Sequence, residues 1–397
     1  MCCQARKTPY HAPATTKSGG AMLNKSDVEA LYRPTADAQG LPAFAYTCED
    51  FSRDEQRSLF AKTWMCAGYA HETPQPGDVL PRTVAGVPIL FTRTKSGEMR
   101  CFHNICTHRG TVLVPAEASG QQALRCRYHG WTFDLEGNLR VTPHWGGHNQ
   151  PNADDMDKSC RGLKQVRMHQ WHDWLFINID GNAEPFEDYA ATFLPHVAEY
   201  DLEQATWCRT MPYEIAANWK LVTENYLETL HLNFVHTLLA EVAPFEQHTV
   251  IADKACLGTI INVGLPDAWS DAESLPRWPG LDADNRTAKN MALFPNFKFV
   301  AGPDHCASMV EFAAGPGVSH QRWDFYFVGE GAMAERCEKA REAIINFYDV
   351  TNVEDFEAVE ANHQGHTSPA MTGARFSGVW ESGVHHFQKL VADRMTV

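Results

Sequence analysis

Two short loops decide the architecture of this chain: Cys106-Thr107-His108 and, after 17 intervening residues, Cys126-Arg127-Tyr128-His129. Each loop offers one thiolate and one imidazole. Paired C-x-H and C-x-x-H loops suit a two-iron cluster in which one iron takes two cysteines and the other takes two histidines. The structural alternative is a zinc site, but zinc sites generally use C-x₂₋₄-C and H-x₃₋₅-H blocks. The mixed blocks therefore favour an iron–sulfur cluster.

The residues around these loops narrow the interpretation. His108-Arg109-Gly110 follows the first cysteine, and the second loop continues as Gly130-Trp131-Thr132-Phe133-Asp134. The pattern resembles a Rieske [2Fe–2S] domain. The Rieske proteins of respiratory complexes carry an extra disulfide, whose cysteines would fall at 111 and 128, where this chain has Thr111 and Tyr128. The sequence is therefore similar to the ferredoxin and oxygenase branch, in which the reduction potential of the cluster is lower.

A second group of metal-binding side chains lies in the run from Asn218 to His236. On a helix Asn225, Glu228 and His231 would share one face, because residues three apart are neighbours. His236 comes five residues after His231, which turns an ideal helix by about 140°. Both histidines can reach one metal only if the helix ends or loosens between them, as at a π-type bulge.

Two histidines and a carboxylate form the facial triad of non-haem Fe(II) oxygenases, which leaves iron positions open for O₂. Such residues on one helix are usually surface or core residues, but an upstream iron–sulfur cluster delivers single electrons to something, which favours a second iron. The third ligand should come from a separate segment. The acidic run 354–360 is the best candidate, and its residue types alone leave Glu354, Asp355 and Glu357 open.

Nearly the whole chain resembles the α-subunits of Rieske non-haem iron oxygenases, also called ring-hydroxylating oxygenases. The family's acid-x₂-His-x₄-His spacing fits Glu228, His231 and His236. The family's distal carboxylate ligand precedes a Glu by five residues and a Gln by nine, which selects Asp355. The resemblance implies an α+β fold, in which an all-β Rieske module precedes a helix-grip (START-like) catalytic domain with a curved antiparallel sheet.

The resemblance also implies roles for two further residues. The acid of the triad spacing is most often Asp in the family, where it bridges a Rieske histidine and an iron histidine across subunits; here it is Glu228. A glutamate at this position resembles the branch that acts on carnitine and similar quaternary ammonium compounds. Asn225 would shape the outer shell of the iron, although helix capping or packing is an equal alternative for it.

The activity implied is that of a terminal oxygenase that uses O₂ and hydroxylates or N-demethylates a quaternary ammonium or related compound. Electrons would come ultimately from NAD(P)H, through a separate reductase or ferredoxin, to the [2Fe–2S] cluster held by Cys106, His108, Cys126 and His129. They would then cross a His129–Glu228–His231 relay to a mononuclear Fe(II). The alternatives are an aromatic cis-dihydroxylating dioxygenase of hydrocarbon catabolism and a Rieske electron carrier without chemistry of its own. A head-to-tail homotrimer is expected.

Composition excludes several classes of protein. The 397 residues are 44% hydrophobic, which suffices for a core, and the net charge of −15 argues against nucleic acid as a partner. No run approaches the ~20 apolar residues of a membrane span. Residues 1–22 lack the apolar core of a secretory signal, so we expect a cytoplasmic protein, with an organellar transit peptide as the open alternative.

Around the cluster, residues 100–140 carry five arginines against three acids, which predicts docking of an acidic electron donor: Arg100, Arg109, Arg125, Arg127 and Arg140 against Glu117, Asp134 and Glu136.

Local patterns predict the following order of elements. A capping box at 52–55 opens a helix, since Ser52 and Glu55 stand three apart. The predicted domains are a tail and arm over 1–40, the Rieske domain with its leading helix over 41–165 and the catalytic domain over 166–397. The predicted strands are 79–84, 89–94 and 99–103 in the Rieske domain and 250–264, 292–301, 306–313 and 321–328 in the catalytic domain; the predicted helices are 218–240, 332–349, 353–363 and 381–394.

Overall fold

Three small antiparallel sheets make up the N-terminal part of the computed structural model, which describes residues 22–148, 157–262, 275–282 and 285–396. Residues 1–21 of the predicted tail and arm therefore lie outside the described residues. The sheets have the strand orders β1-β9-β8, β2-β3-β4 and β5-β6-β7. Their strands are β1 Met65–Tyr69, β2 Val79–Val84, β3 Val87–Arg93, β4 Met99–His103, β5 Leu124–Arg125, β6 Thr132–Phe133, β7 Leu139–Val141, β8 Arg167–Trp171 and β9 Trp174–Asn178.

The strand predictions for this part hold closely. Strands β2 and β4 have the predicted bounds, and β3 begins two residues earlier than predicted. The hairpin β2–β3 turns on Ala85 and Gly86, which both have positive φ (50° and 71°), as a two-residue hairpin turn requires. Strands β8 and β9 follow residue 165, but β9 pairs with β1 and β8 pairs with β9, so this sheet crosses the predicted domain limit.

The second part is a curved antiparallel sheet of seven strands within the described residues, ordered β10-β16-β15-β14-β13-β12-β11. The predicted run 250–264 corresponds to parts of two strands, and β10 was not predicted. Every neighbouring pair in the sheet is antiparallel, so the antiparallel catalytic sheet expected from the family resemblance is present. Its strands are β10 Ala205–Ile215, β11 His248–Asp253, β12 Cys256–Asn262, β13 Thr287–Leu293, β14 Phe297–Ala301, β15 His305–Gly315 and β16 Val318–Val328.

Helices pack on this sheet, and two predictions about them were wrong. The predicted helix 218–240 is three helices, because the chain leaves helical geometry at Glu228 (φ −121°, ψ 162°). The predicted helices 332–349 and 353–363 are one continuous helix, α9. The helices are α1 Lys25–Leu31, α2 Phe44–Thr47, α3 Glu49–Ser58, α4 Phe186–Tyr189, α5 Leu194–Val197, α6 Trp219–Leu227, α7 Leu232–Val235, α8 Thr237–Val242, α9 Glu338–His366 and α10 Ser382–Met395.

The capping box predicted at 52–55 is absent, because α3 already begins at Glu49 with Cys48 as its N-cap. Glu55 instead points into the core and accepts a hydrogen bond from the Lys220 ammonium at 2.6 Å, with both side chains essentially inaccessible to water. Burial raises the pKa of Glu55 and lowers that of Lys220, although each charge opposes the shift of the other. This ion pair connects the leading helix α3 to α6, the helix that precedes the iron-binding segment, as residues 228–236 with the predicted iron ligands His231 and His236 are called below.

Candidate metal centres

The two cysteine loops adopt the same turn. In each, the cysteine amide donates to the carbonyl five residues on, and the glycine four residues on donates to the cysteine carbonyl, with N–O distances of 2.8–3.0 Å. Gly110 and Gly130 both have left-handed φ values, 74° and 72°, which explains a glycine at this place in each loop. The repeated turn presents Cys106 and Cys126 from two equivalent loops.

The side chains of these loops fit a two-iron cluster. Cys106 and Cys126 are buried, and burial raises the pKa of the Cys106 thiol to about 11. The ring centroids of His108 and His129 lie 4.6 Å apart, and the buried Nδ1 of His108 has no hydrogen bond within the described residues. Burial lowers the pKa of His108, which favours the neutral imidazole that binds metal. An orphaned ring nitrogen beside two buried thiols is what such a cluster would satisfy.

Aromatic rings surround the histidine side of this centre. Trp131 stacks on His108 with a centroid distance of 4.7 Å and an angle of 8° between the planes. His129 is exposed, and the neighbouring Tyr128 is 59% exposed. The histidine-bound iron would therefore lie at the surface of the module, where an electron can leave or enter.

The second centre brings together the three side chains predicted as iron ligands. The Nε2 atoms of His231 and His236 lie 3.5 and 3.0 Å from Oδ1 of Asp355. One ligand atom from each residue falls within 4.8 Å of the others. Oδ1 of Asp355 is buried and has no hydrogen-bond partner within the described residues. Two imidazoles and one carboxylate on one side of a cavity form the donor set of a facial Fe(II) triad.

The local backbone explains how residues five apart reach one metal. Helix α6 ends at Leu227, earlier than the sequence predicts, and His231 precedes the single turn of α7. His236 then separates α7 from α8 in extended geometry (φ −110°, ψ 114°). The chain therefore uses a short helical turn between two breaks rather than a π-type bulge, and Asn225 stays on α6 in the cavity wall.

A carboxylate contacts the Nδ1 atom of each of the two histidines, His231 and His236. Nδ1 of His231 lies 2.5 Å from Oε1 of Glu228, and Nδ1 of His236 lies 2.8 Å from Oε2 of Glu354. Such contacts fix the ring orientation and leave Nε2 for the metal. Burial lowers the pKa of His236, but Asp355 and Glu354 outweigh it and the net shift is upward. Glu354, which the sequence offered only as an alternative ligand, therefore has an orienting position.

A cavity opens on this centre between the curved sheet and α9. Two polar atoms in its wall are buried without a hydrogen-bond partner among the described residues, Oγ1 of Thr229 and Nδ2 of Asn352. Neither residue was predicted, since no spacing motif marks them; Asn352 stands one helical turn before Asp355. The remaining wall is mostly apolar and aromatic, including Tyr226, Leu239, Met309, Trp323, Phe347 and Phe356.

His129, on the second cluster loop, contacts the rings of His108 and Tyr128. In the part of the chain that the structure describes, a hydrogen bond joins Glu228 to His231, but none joins His129 to Glu228. No helix in the described ranges is long and apolar enough to cross a membrane.

Comparisons with known proteins agree with this arrangement. The Rieske [2Fe-2S] domain family matches residues 63–152, and the ring hydroxylating alpha subunit (catalytic domain) family matches residues 202–397. The carnitine monooxygenase oxygenase subunit of Acinetobacter baumannii is 28% identical over 367 residues, covering 88% of this chain and 93% of that protein. The glycine betaine monooxygenase oxygenase subunit of Pseudomonas aeruginosa is 27% identical over 391 residues, covering 89% of each.

Solved structures share the fold. The quaternary ammonium Rieske monooxygenase CntA with γ-butyrobetaine superposes with a TM-score of 0.75 at 24% identity, covering 93% of this chain and 99% of that one. Naphthalene 1,2-dioxygenase from Rhodococcus sp. gives 0.73 at 19% identity, covering 94% and 99%. These likenesses confirm the predicted fold class, a Rieske module followed by a catalytic domain with a large antiparallel sheet.

Proposed function

We propose that this chain, which belongs to the Rieske non-haem iron oxygenase α-subunits, is the terminal oxygenase for a quaternary ammonium substrate. The observation that carries the proposal is the group of two imidazoles and one carboxylate, His231, His236 and Asp355, in the wall of a largely apolar cavity. The predicted oxidoreductase class and the two iron cofactors are confirmed by the family. The individual ligand residues remain proposals, as do Glu228 and Asn225 beside them.

The proposed mechanism assigns each side chain a separate task. When bound, the mononuclear iron activates O₂ with electrons that the [2Fe–2S] cluster supplies. His231, His236 and Asp355 would hold that metal in the wall of the cavity. Glu228 and Glu354 keep both imidazoles oriented through Nδ1. The apolar wall excludes water from the reacting centre, which prevents loss of the oxidant to side reactions.

The substrate class rests on the relatives together with the cavity. Two of the relatives are named for carnitine and for glycine betaine. A chloroplastic choline monooxygenase of Beta vulgaris is 25% identical to this chain, over 96% of its length. Aromatic rings in the wall suit a quaternary ammonium group. The expectations of dioxygenation and aromatic hydrocarbon catabolism find no support, because the likeness to naphthalene dioxygenase extends to the fold alone. A pure electron carrier would not need the matched catalytic domain.

We further propose a head-to-tail homotrimer. Phe234, on the turn between the two iron histidines, is 90% exposed, and Tyr128 beside His129 is 59% exposed. A neighbouring cluster module that docks its Tyr128 side over the Phe234 side would bury both rings. The same contact would bring His129 of one subunit toward Glu228 of the next, and a heterologous contact repeated three times closes a ring.

Three further proposals concern the electron donor, the cellular location and the division of the chain into modules. We keep a separate reductase or ferredoxin as the electron donor, with NAD(P)H as the ultimate source. We keep a cytoplasmic location, and an organellar address in residues 1–22 as the alternative. We divide the chain into a tail and arm over 1–40, a cluster module that starts at 41 and runs through the β8–β9 hairpin, and a catalytic module over the remainder. The pairing of β9 with β1 supports a limit beyond the predicted 165.

The first experiment separates the two metal centres. His231→Ala, His236→Ala and Asp355→Ala should each lose the mononuclear iron and turnover while the visible spectrum of the [2Fe–2S] cluster stays intact. Cys106→Ser should lose that spectrum. Turnover is measured as O₂ uptake with a reductase over carnitine, glycine betaine, choline and aromatic acids. Unchanged iron content in the three variants would contradict the triad, and no substrate-dependent O₂ uptake would favour the electron carrier.

The second experiment tests transfer between subunits. Cys106→Ser lacks the cluster and His231→Ala lacks the mononuclear iron, so neither homo-oligomer should turn over. In a mixed ring, a subunit with an intact cluster can feed a neighbour with intact iron, and partial activity should return. Verified mixed oligomers that stay inactive, while both parents remain folded, would contradict the relay across the interface.

A further inference from the structure

A hydrogen-bonded chain of three side chains lies in the wall of the iron-site cavity. Oδ1 of Asp304 lies 2.7 Å from Nδ1 of His305, and Nε2 of the same ring lies 3.0 Å from the hydroxyl of Tyr348. All three residues line the cavity. None of them belongs to the metal-binding set, and the mechanism described above does not use them.

The surrounding structure fixes this chain of hydrogen bonds in place. Asp304 lies in the turn between β14 and β15, which closes with the Gly302 amide donating to the carbonyl of His305 at 3.0 Å. A Cβ at Gly302 would come within 2.7 Å of the His305 ring, so only glycine lets the ring sit here. Tyr348 is held on α9 between Trp323 and Phe347, with centroid distances of 5.7 and 5.4 Å.

The order of the three groups sets the direction of each hydrogen bond. An ionised carboxylate can only accept a hydrogen bond, so Nδ1–H of His305 donates to Asp304. A neutral imidazole that donates from Nδ1 accepts at Nε2, so the Tyr348 hydroxyl donates its only proton to the ring. The phenol oxygen then has lone pairs but no proton to offer, and within the described ranges it makes no second hydrogen bond.

We propose that Tyr348 is a specificity-determining residue that presents the negative end of its phenol dipole to a cationic substrate group. Asp304 and His305 are positioning residues that keep the hydroxyl in this polarity. The inference rests on the proposed function, since it concerns the quaternary ammonium substrate of the same cavity. The negative end of the phenol dipole attracts such a cation, and the neighbouring ring faces add to the attraction. The cavity arginines Arg277 and Arg286 are exposed, so water screens their opposing charge.

The test compares two probes of the same shape. Choline carries a trimethylammonium group, and 3,3-dimethylbutan-1-ol carries a neutral tert-butyl group in its place. Binding of each to the oxidised, iron-loaded holoenzyme is measured by isothermal titration calorimetry, and the ratio of the two dissociation constants reports the preference for the cation. General damage to the cavity weakens both probes and leaves this ratio unchanged.

Tyr348→Phe keeps the ring but removes the oxygen, and should lower the preference for choline about tenfold. Asp304→Asn can donate its amide proton to Nδ1, which reverses the chain and lets the phenol proton face a ligand, so the preference should fall at least as far. The matched control is Asp349→Asn, which removes the same charge next to Tyr348 but from a carboxylate that binds Tyr213 instead. It should keep the wild-type ratio.

The outcomes separate this inference from the function on which it rests. If wild type prefers choline and both Tyr348→Phe and Asp304→Asn keep that preference, the role of Tyr348 is wrong while the substrate class stands. If wild type itself binds both probes equally, the proposed substrate class fails. If Asp349→Asn lowers the ratio as much as Asp304→Asn, the effect is one of net charge and the directed hydrogen-bond chain is refuted.

Discussion

Glu224, on the helix that leads into the iron-binding segment, should make the stability of this protein depend on pH. Its Oε1 accepts hydrogen bonds from the Tyr46 hydroxyl at 2.7 Å and from the Gln388 amide at 3.0 Å. Burial nevertheless raises the pKa of this carboxyl from 4.5 to about 7. The perturbation is Glu224→Gln, which keeps an oxygen for both donors and removes the charge.

The sign and size of the effect follow from linkage. A carboxyl whose pKa is higher in the folded than in the unfolded protein binds its proton preferentially in the folded state, so stability falls as pH rises from 4.5 to about 7. At about 1.36 kcal/mol for each pH unit, the loss above pH 7 amounts to about 3 kcal/mol at most. Glu224→Gln does not suffer this loss, so it should be more stable than wild type at pH 8.5 and similar to it near pH 4.5.

The assay is urea unfolding of wild type and Glu224→Gln at pH 5 and pH 8.5, followed by tryptophan fluorescence. Glu241→Gln is the control, because Glu241 is an exposed carboxylate on α8. The control should shift the free energy of unfolding equally at both pH values. If Glu224→Gln and wild type differ by the same amount at both pH values, the carboxyl is charged in both states and the reasoning is refuted.

Three further predictions concern the metal centres. Glu354→Ala should weaken the binding of mononuclear iron about 10–100-fold in a chelator competition, because His236 loses its orienting partner. Glu357 is exposed one helical turn further on, so Glu357→Ala should keep the wild-type affinity; equal affinities of the two variants would contradict the role of Glu354. Phe234→Asp should shift the mass measured by light scattering toward the monomer, and an unchanged mass would exclude this surface from the interface. Arg109 and Arg127 are exposed without an ion pair within the described residues, so reduction of the cluster by an acidic donor should slow as salt rises and slow further in Arg127→Glu. A salt-independent rate would count against docking there.

The predicted basic surface is smaller in the structure than in the sequence. Arg140 pairs with Asp134 at 2.6 Å, and Arg100 pairs with Glu98 at 2.8 Å. The charges of these two arginines are therefore partly neutralised within the module. The excess of positive charge that an electron donor would meet comes down to residues such as Arg109 and Arg127 next to the cluster loops.

The features that could be predicted from the amino-acid sequence are those with a local cause. The cysteine–histidine loops could be read directly, because each loop is a tight turn that carries its own ligands at fixed spacing. Strands β2 and β4 could be placed for the same reason, since alternating residues and a short turn define a hairpin without distant help. The spacing of His231 and His236 likewise predicted that the helix is interrupted, but it did not predict the positions of the breaks.

The contacts between segments that are distant in sequence could not be predicted in this way, because they depend on tertiary packing. Glu354 and Asp355 are adjacent in sequence, and packing of α9 against the iron-binding segment gives one the orienting position and the other the place between the two imidazoles. Ser52 and Glu55 fit a capping box locally, but burial of Glu55 against Lys220 across 165 residues sets its partner instead. Which side chains line the cavity is fixed by the path of the whole chain, because long-range contacts, unlike turns and ligand spacings, leave no periodic mark in the sequence.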